Sequence, residues 1–134
     1  MKYKIELSFD ELCLIERSLE LYGRVGMLQF EYLTLCNSLQ KLIWNKEVSS
    51  EFRNKTDELK SLFGYPSNGN PGILNTEDVN DDARIAIHLY QIIRHQRWLD
   101  DTDPDKNKYH TVSAYPADTC QLAGMKTPDF KFIK

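Results

Sequence analysis

Lys2-Tyr3-Lys4-Ile5-Glu6-Leu7-Ser8-Phe9-Asp10-Glu11-Leu12 changes its hydrophobic period part-way along, and that change decides how the chain is read. Tyr3, Ile5 and Leu7 alternate with Lys2, Lys4 and Glu6, the two-residue repeat of a half-buried strand over 2–7. Ser8 and Glu11 then stand three apart, the spacing of a capping box, in which each side chain satisfies a backbone N–H at a helix start. Leu7 and Leu12 occupy the positions of a hydrophobic staple. A strand running straight into a helix is predicted here.

Reading outward, the helix is predicted to continue to about Gln40, although Gly23 and Gly26 each cost it about 1 kcal/mol relative to alanine. Leu14, Leu21, Val25, Leu28, Tyr32, Leu35 and Leu39 form one apolar stripe, and Leu12, Ile15, Leu19, Tyr22 and Leu33 form a second. Two stripes imply a central helix packed on two sides. Gln29 projects between them and needs polar partners, either backbone or a ligand. Ser49 or Ser50 is expected to cap a short helix over 51–63, with Phe52, Leu59, Leu62 and Phe63 inward and Gly64 as its stop. The stretch from Gly64 to Gly72 is turn chemistry and reads as a loop. Asn80, followed by Asp81 and Asp82, reads as the N-cap of a second long helix ending near Leu99. Ile85, Ala86, Leu89, Tyr90, Ile92 and Ile93 would make its core face, with Arg84, His88, Gln91 and His95 opposite. A last strand is predicted at 109–115, stopped by Pro116. The fold expected is therefore α+β: two long helices and one short one, with terminal strands pairing in a small antiparallel sheet. Residues 1–116 would form one domain and 117–134 a weakly structured tail.

The chain's 134 residues suit a single domain, and 41% apolar with 28% charged residues excludes a disordered chain. A formal net charge of -3 argues against nucleic-acid backbone binding, which needs a basic excess. No apolar run approaches the ~18 residues of a membrane span, and Met1–Glu6 lacks a signal peptide's apolar stretch. Cys13, Cys36 and Cys120 are odd in number and scattered, which fits a reduced cytosol.

Most chemistries fail on spacing. Asp101, Asp103 and Asp105 match the first three ligand positions of a calcium loop, but Lys106 stands where glycine is required and Val112 where glutamate is. His88 and His95 are two helical turns apart, too far for one zinc ion unaided. No nucleophile motif and neither phosphate-binding glycine loop is present. No metal or cofactor is implied.

Two basic clusters remain. Arg84, Arg94 and Arg97 lie on one helix with two histidines and no acid between them, and Tyr22, Tyr90 and Trp98 offer flat faces for a ring. Arg24 lies beside Gly23 and Gly26, which permit close backbone approach. Ion pairing with Glu31, Asp100 or other carboxylates is the commoner fate of such arginines.

The segments Glu20–Glu31 and Ala83–His95 resemble those of a family of small tailed-phage proteins, with similarity over residues 3 to about 116. Family members carry Tyr-Ser-Arg-Ile-Gly-Met-Gly-Gln-Phe-Glu where this chain has Tyr22 to Glu31, so Gly23 replaces serine and Leu28 replaces glycine. They also tend to have Tyr-Asp where this chain has His88-Leu89. The resemblance implies a phage origin rather than a defined activity. Small phage proteins include oligomers that sequester nucleotide-derived defence messengers. On that analogy the expected function is capture, without cleavage, of an anionic nucleotide-like molecule by a cytosolic homodimer or higher oligomer. Arg24, Arg84, Arg94 and Arg97 would engage phosphate, Tyr22 and Trp98 would stack, and Gln29 and His95 would hydrogen-bond. Two rivals stand beside it: a module that inhibits a host enzyme through apolar surface near Gly23 and Gly26, and a phosphodiesterase-like hydrolase. The capture reading requires guanidinium groups from both clusters to meet in one recess.

Overall fold

A computed structural model of the chain describes residues 4–66, 69, 78–106, 112–117, 122 and 132. Four α-helices follow in order: α1 (Phe9–Gly26), α2 (Asn37–Leu42), α3 (Lys46–Ser61) and α4 (Asp81–Asp100). Two 3₁₀ segments, Phe30–Leu35 and Val112–Ala114, complete the described secondary structure.

The N-terminal junction forms as its residues dictate on the helical side only. Ser8 accepts from the Glu11 N–H while the Glu11 carboxylate accepts from the Ser8 N–H at 2.7 Å, closing the capping box. The preceding strand does not form. Residues 4–8 are irregular and exposed, with Ile5 72% exposed, while Lys2 and Tyr3 lie outside the described residues. Alternation makes a strand only where a neighbour completes the ladder, and no strand is present among the described residues. The C-terminal strand is likewise replaced: Val112–Ala114 is 3₁₀, and residues 109–111 lie outside the described set. Arg94 takes the carbonyl of Val112 and His95 that of Ser113, so α4 side chains occupy acceptors that a ladder would use. All regular secondary structure among the described residues is helical, and the expected α+β sheet is corrected accordingly.

The first helix ends fourteen residues before the expected Gln40. Gln29 N–H bonds to the Arg24 carbonyl and Leu28 N–H to the Val25 carbonyl, both at 2.9 Å, the paired bonds of a Schellman C-cap. Leu28 takes the left-handed position at φ 58°, where glycine is usual. Gly23 and Gly26 serve α1–α4 packing: a Cβ on Gly23 would fall 2.4 Å from Ile87 Cγ1, and one on Gly26 would fall 2.5 Å from Ala83 Cβ. With Glu16 meeting Arg97 further along, the two helices run antiparallel.

α4, not α1, is the central helix. Ala83, Ala86, Ile87, Tyr90 and Ile93 are buried along it; Met27 and Val79 cluster with Ala83 and Ile87, and Leu122 is buried as well. Leu122 comes from the stretch read as a loose tail, most of which lies outside the described residues. Arg84 and His88, expected on the polar face, are each only 2% exposed. α1 packs on α4 and on the Phe30–Leu35 segment and leaves Leu14 64% exposed. α3 begins at Asn45, which caps the Glu47 N–H at 2.9 Å, rather than at Ser49 or Ser50. Its buried residues are Thr56 and Lys60, whereas Leu59, Leu62 and Phe63 are exposed rather than inward. Lys60 reaches Asp57 at 3.1 Å and Glu31 at 3.7 Å, which lets its ammonium lie at a buried position. Gly64, at φ 79°, stops this segment as read from the sequence.

Candidate functional site

The eight candidate residues fall into two groups at opposite ends of the α1–α4 pair. Thirteen residues separate Arg84 from Arg97 on α4, about 20 Å along the axis, so their guanidinium groups do not share one recess.

At the Gly23 end, Arg24 donates to Gln29 Oε1 at 3.0 Å, pairs with Glu20 at 3.5 Å, and lies over the Tyr32 ring at 4.4 Å. Gln29 therefore meets a side chain of its own fold. Arg84 pairs with Asp81 at 3.4 Å in the first turn of α4. Tyr22 is exposed and lines an apolar cavity of about 500 Å³ with Leu21, Val25, Gly26, Leu33 and Ala83.

Arg94, His95, Arg97 and Trp98 gather at the other end. They follow from helical spacing, since residues three and four apart share a face. Arg94 donates to the Val112 carbonyl at 3.0 Å and to the Tyr90 hydroxyl at 3.4 Å. Burial pushes the Tyr90 phenol above its ordinary range, and the Arg94 hydrogen bond partly opposes that shift. His95 donates from Nδ1 to the Ser113 carbonyl at 3.0 Å, because a carbonyl only accepts, and stacks on Trp98 with centroids 5.9 Å apart. Arg97 donates to Glu16, a hydrogen bond that holds its guanidinium above the ordinary range, and lies 5.0 Å from the centre of the Phe9 ring.

Arg94, Arg97 and Trp98, but not His95, line a cleft of about 590 Å³ together with Phe9, Glu16 and Asp100 among others. The volume lies within the ordinary range of small-molecule sites. Among the described residues, three donor atoms of its lining side chains, Arg94 Nε, Arg97 Nε and Trp98 Nε1, are buried without a hydrogen-bond acceptor, and their burial keeps them out of direct reach of a ligand. Buried polar groups are nearly always satisfied, so three on neighbouring side chains is an unusual concentration. A fourth such donor, Arg24 Nε, lies at the other end.

Lys106 and Glu16 were not singled out from the sequence. The Lys106 ammonium donates to the Trp98 carbonyl at 2.9 Å and the Leu99 carbonyl at 3.2 Å, closing the end of α4, and sits 5.1 Å from the Trp98 ring centre. Its place in the sequence, within two turns of a helix end rich in aspartates, was the available signal. Glu16 carries no spacing signal in the sequence; only tertiary packing sets it against Arg97. In the acidic loop, Asp101 accepts from the Asp103 N–H and Asp103 from the Asp105 N–H at 2.9 and 2.8 Å, so these carboxylates brace backbone turns. Among the described residues, no three His, Cys, Asp or Glu side chains gather as a metal ion requires, and no helix is long and apolar enough to cross a membrane. Cys13 and Cys36 carry thiols, and Cys120 lies outside the described residues.

No family model, curated protein or solved structure matches the chain.

Proposed function

We propose that the chain captures a nucleotide-derived anionic small molecule in the Arg94–Arg97–Trp98 cleft and releases it unaltered. The observation that carries this reading is a cleft of ligand size whose lining brings together two arginines and an indole. Phosphate or carboxylate oxygens would pair with the guanidinium groups, and the indole offers a face for a base. The two basic clusters do not meet, so the two-cluster recess expected from the sequence is given up: Arg24, Gln29, Arg84 and Tyr22 leave the site, and the proposal rests on the Arg94–Arg97–Trp98 cleft alone. His95 keeps an orienting role, its ring stacked on Trp98. The tailed-phage resemblance of Tyr22–Glu31 and Ala83–His95 supports an accessory role in the cytosol of an infected cell, sequestering a host immune signal. Exposed apolar side chains, among them Leu14, Trp44 and Leu62 (78% exposed), support assembly into a homodimer or higher oligomer.

The test is a thermal-shift screen against nucleotides and cyclic nucleotides, followed by native mass spectrometry of the retained ligand. At a hundredfold excess over Kd, capture stabilises by about 2.7 kcal/mol, a rise in Tm of about 10 °C. Arg94→Ala should abolish the shift, and the released ligand should keep its mass. A mass change would mean hydrolysis instead.

The second reading is docking on a host protein. The observation favouring it is the apolar cavity around Tyr22, Val25 and Gly26. It predicts no nucleotide-induced shift, and binding to a host protein that is lost when Tyr22 is replaced by aspartate.

A further inference from the structure

The cleft's own charges restrict what it can hold. Arg94 and Arg97 contribute two positive charges, while Glu16, Asp100 and Asp101 contribute three negative ones. Glu16 is the most intimate of these: its side chain is 11% exposed, it comes from α1, and it accepts from the Arg97 Nη1 group. An incoming anion therefore meets a guanidinium that already has a carboxylate partner. Asp100 adds a carboxylate on the same wall, where it accepts from Gln96 Nε2 at 3.0 Å. Carboxylates accept hydrogen bonds and repel anions, so they reward a ligand with N–H donors and penalise each additional negative charge.

Resting on the capture reading and narrowing it, we infer that the cleft selects a ligand with one negative charge and an N–H-bearing edge, with Glu16 and Asp100 setting that selectivity. The single charge lies against the Arg94 and Arg97 side chains, the latter 32% exposed. The donor edge, such as the exocyclic amine of a base, goes to the carboxylates. A polyphosphate chain fits poorly because its charges outnumber the two guanidinium groups.

The experiment is isothermal titration of the full chain, in metal-free buffer, with four probes sharing adenine: the nucleoside, its 3′,5′-cyclic monophosphate, its 5′-monophosphate and its 5′-triphosphate. A guanine series runs in parallel. The cyclic monophosphate should bind best, and at least tenfold more tightly than the triphosphate. Glu16→Gln should close that gap to threefold or less by strengthening the triphosphate. Asp100→Asn, at an exposed position that leaves the helix pair intact, should narrow it in the same direction if Glu16→Gln fails to fold. A triphosphate that equals or exceeds the cyclic monophosphate in the wild type overturns the inference while leaving capture standing. So does a gap that neither variant changes. Absence of binding by every probe overturns the capture reading, and this inference with it.

Discussion

Gly23→Ala isolates the contact on which the helix pair depends. A methyl group built there would lie 2.4 and 2.6 Å from Ile87 Cγ1 and Cδ1, and 3.0 Å from the Ala83 carbonyl oxygen. Carbon atoms rest about 3.5–4 Å apart, so roughly 1 Å of movement is needed. Ile87 is buried, and the Ala83 carbonyl belongs to the backbone of α4, so neither neighbour gives way freely. Overpacking of this kind costs about 3 kcal/mol at the upper end of its range, and alanine returns about 1 kcal/mol of helix propensity. The net expectation is destabilisation by about 2 kcal/mol, or a fall in Tm of about 8 °C. Urea denaturation followed by circular dichroism measures it. Ile87→Ala removes both colliding carbons, so in that background Gly23→Ala should be neutral or stabilise by up to about 1 kcal/mol. A Gly23→Ala protein more stable than the wild type would refute the close-packing argument. Equal effects of the substitution in the two backgrounds would refute it as well.

Three further outcomes follow from the same geometry. The hydrogen bond from Ser8 lowers the Glu11 pKa, so the capping box contributes fully above about pH 4.3 and its contribution is lost as pH falls through the folded value; Glu11→Gln should flatten that acid limb in pH-dependent urea midpoints. Burial raises the Tyr90 pKa, so its contribution is complete below about pH 10 and declines as pH rises toward the folded value. Tyr90→Phe should therefore lose less stability above pH 10 than the wild type, as monitored by far-ultraviolet circular dichroism. Lys106→Met removes the ammonium that closes α4 and lies near the Trp98 ring. It should cost about 1 kcal/mol in urea denaturation and alter tryptophan emission, and unchanged emission would count against the placement of Lys106.

Local chemistry made part of this architecture legible. Ser8 with Glu11, Asn80 before Asp81, and Gly64 after α3 act within a few residues of themselves, so their spacing is their mechanism. The strands at 2–7 and 109–115 were not legible in the same way. Alternation describes one side of a ladder and says nothing about whether a partner arrives. The end of α1 was equally hidden, because Leu28 occupies a left-handed position that its side chain does not advertise.

For the candidate site, the sequence by itself determined that Arg94, His95, Arg97 and Trp98 lie close together, since helical period alone brings residues three and four apart to one face. It also determined that Arg84 stands about three to four turns away from them on the same helix. Only tertiary structure decided that Glu16 from α1 would meet Arg97, that Arg84 and His88 would be buried, and that α4 rather than α1 would be central. Those outcomes depend on which helix faces meet. Gly23 and Gly26 set that meeting by letting α1 approach Ala83 and Ile87, and a contact between helices far apart in sequence leaves no period in either one.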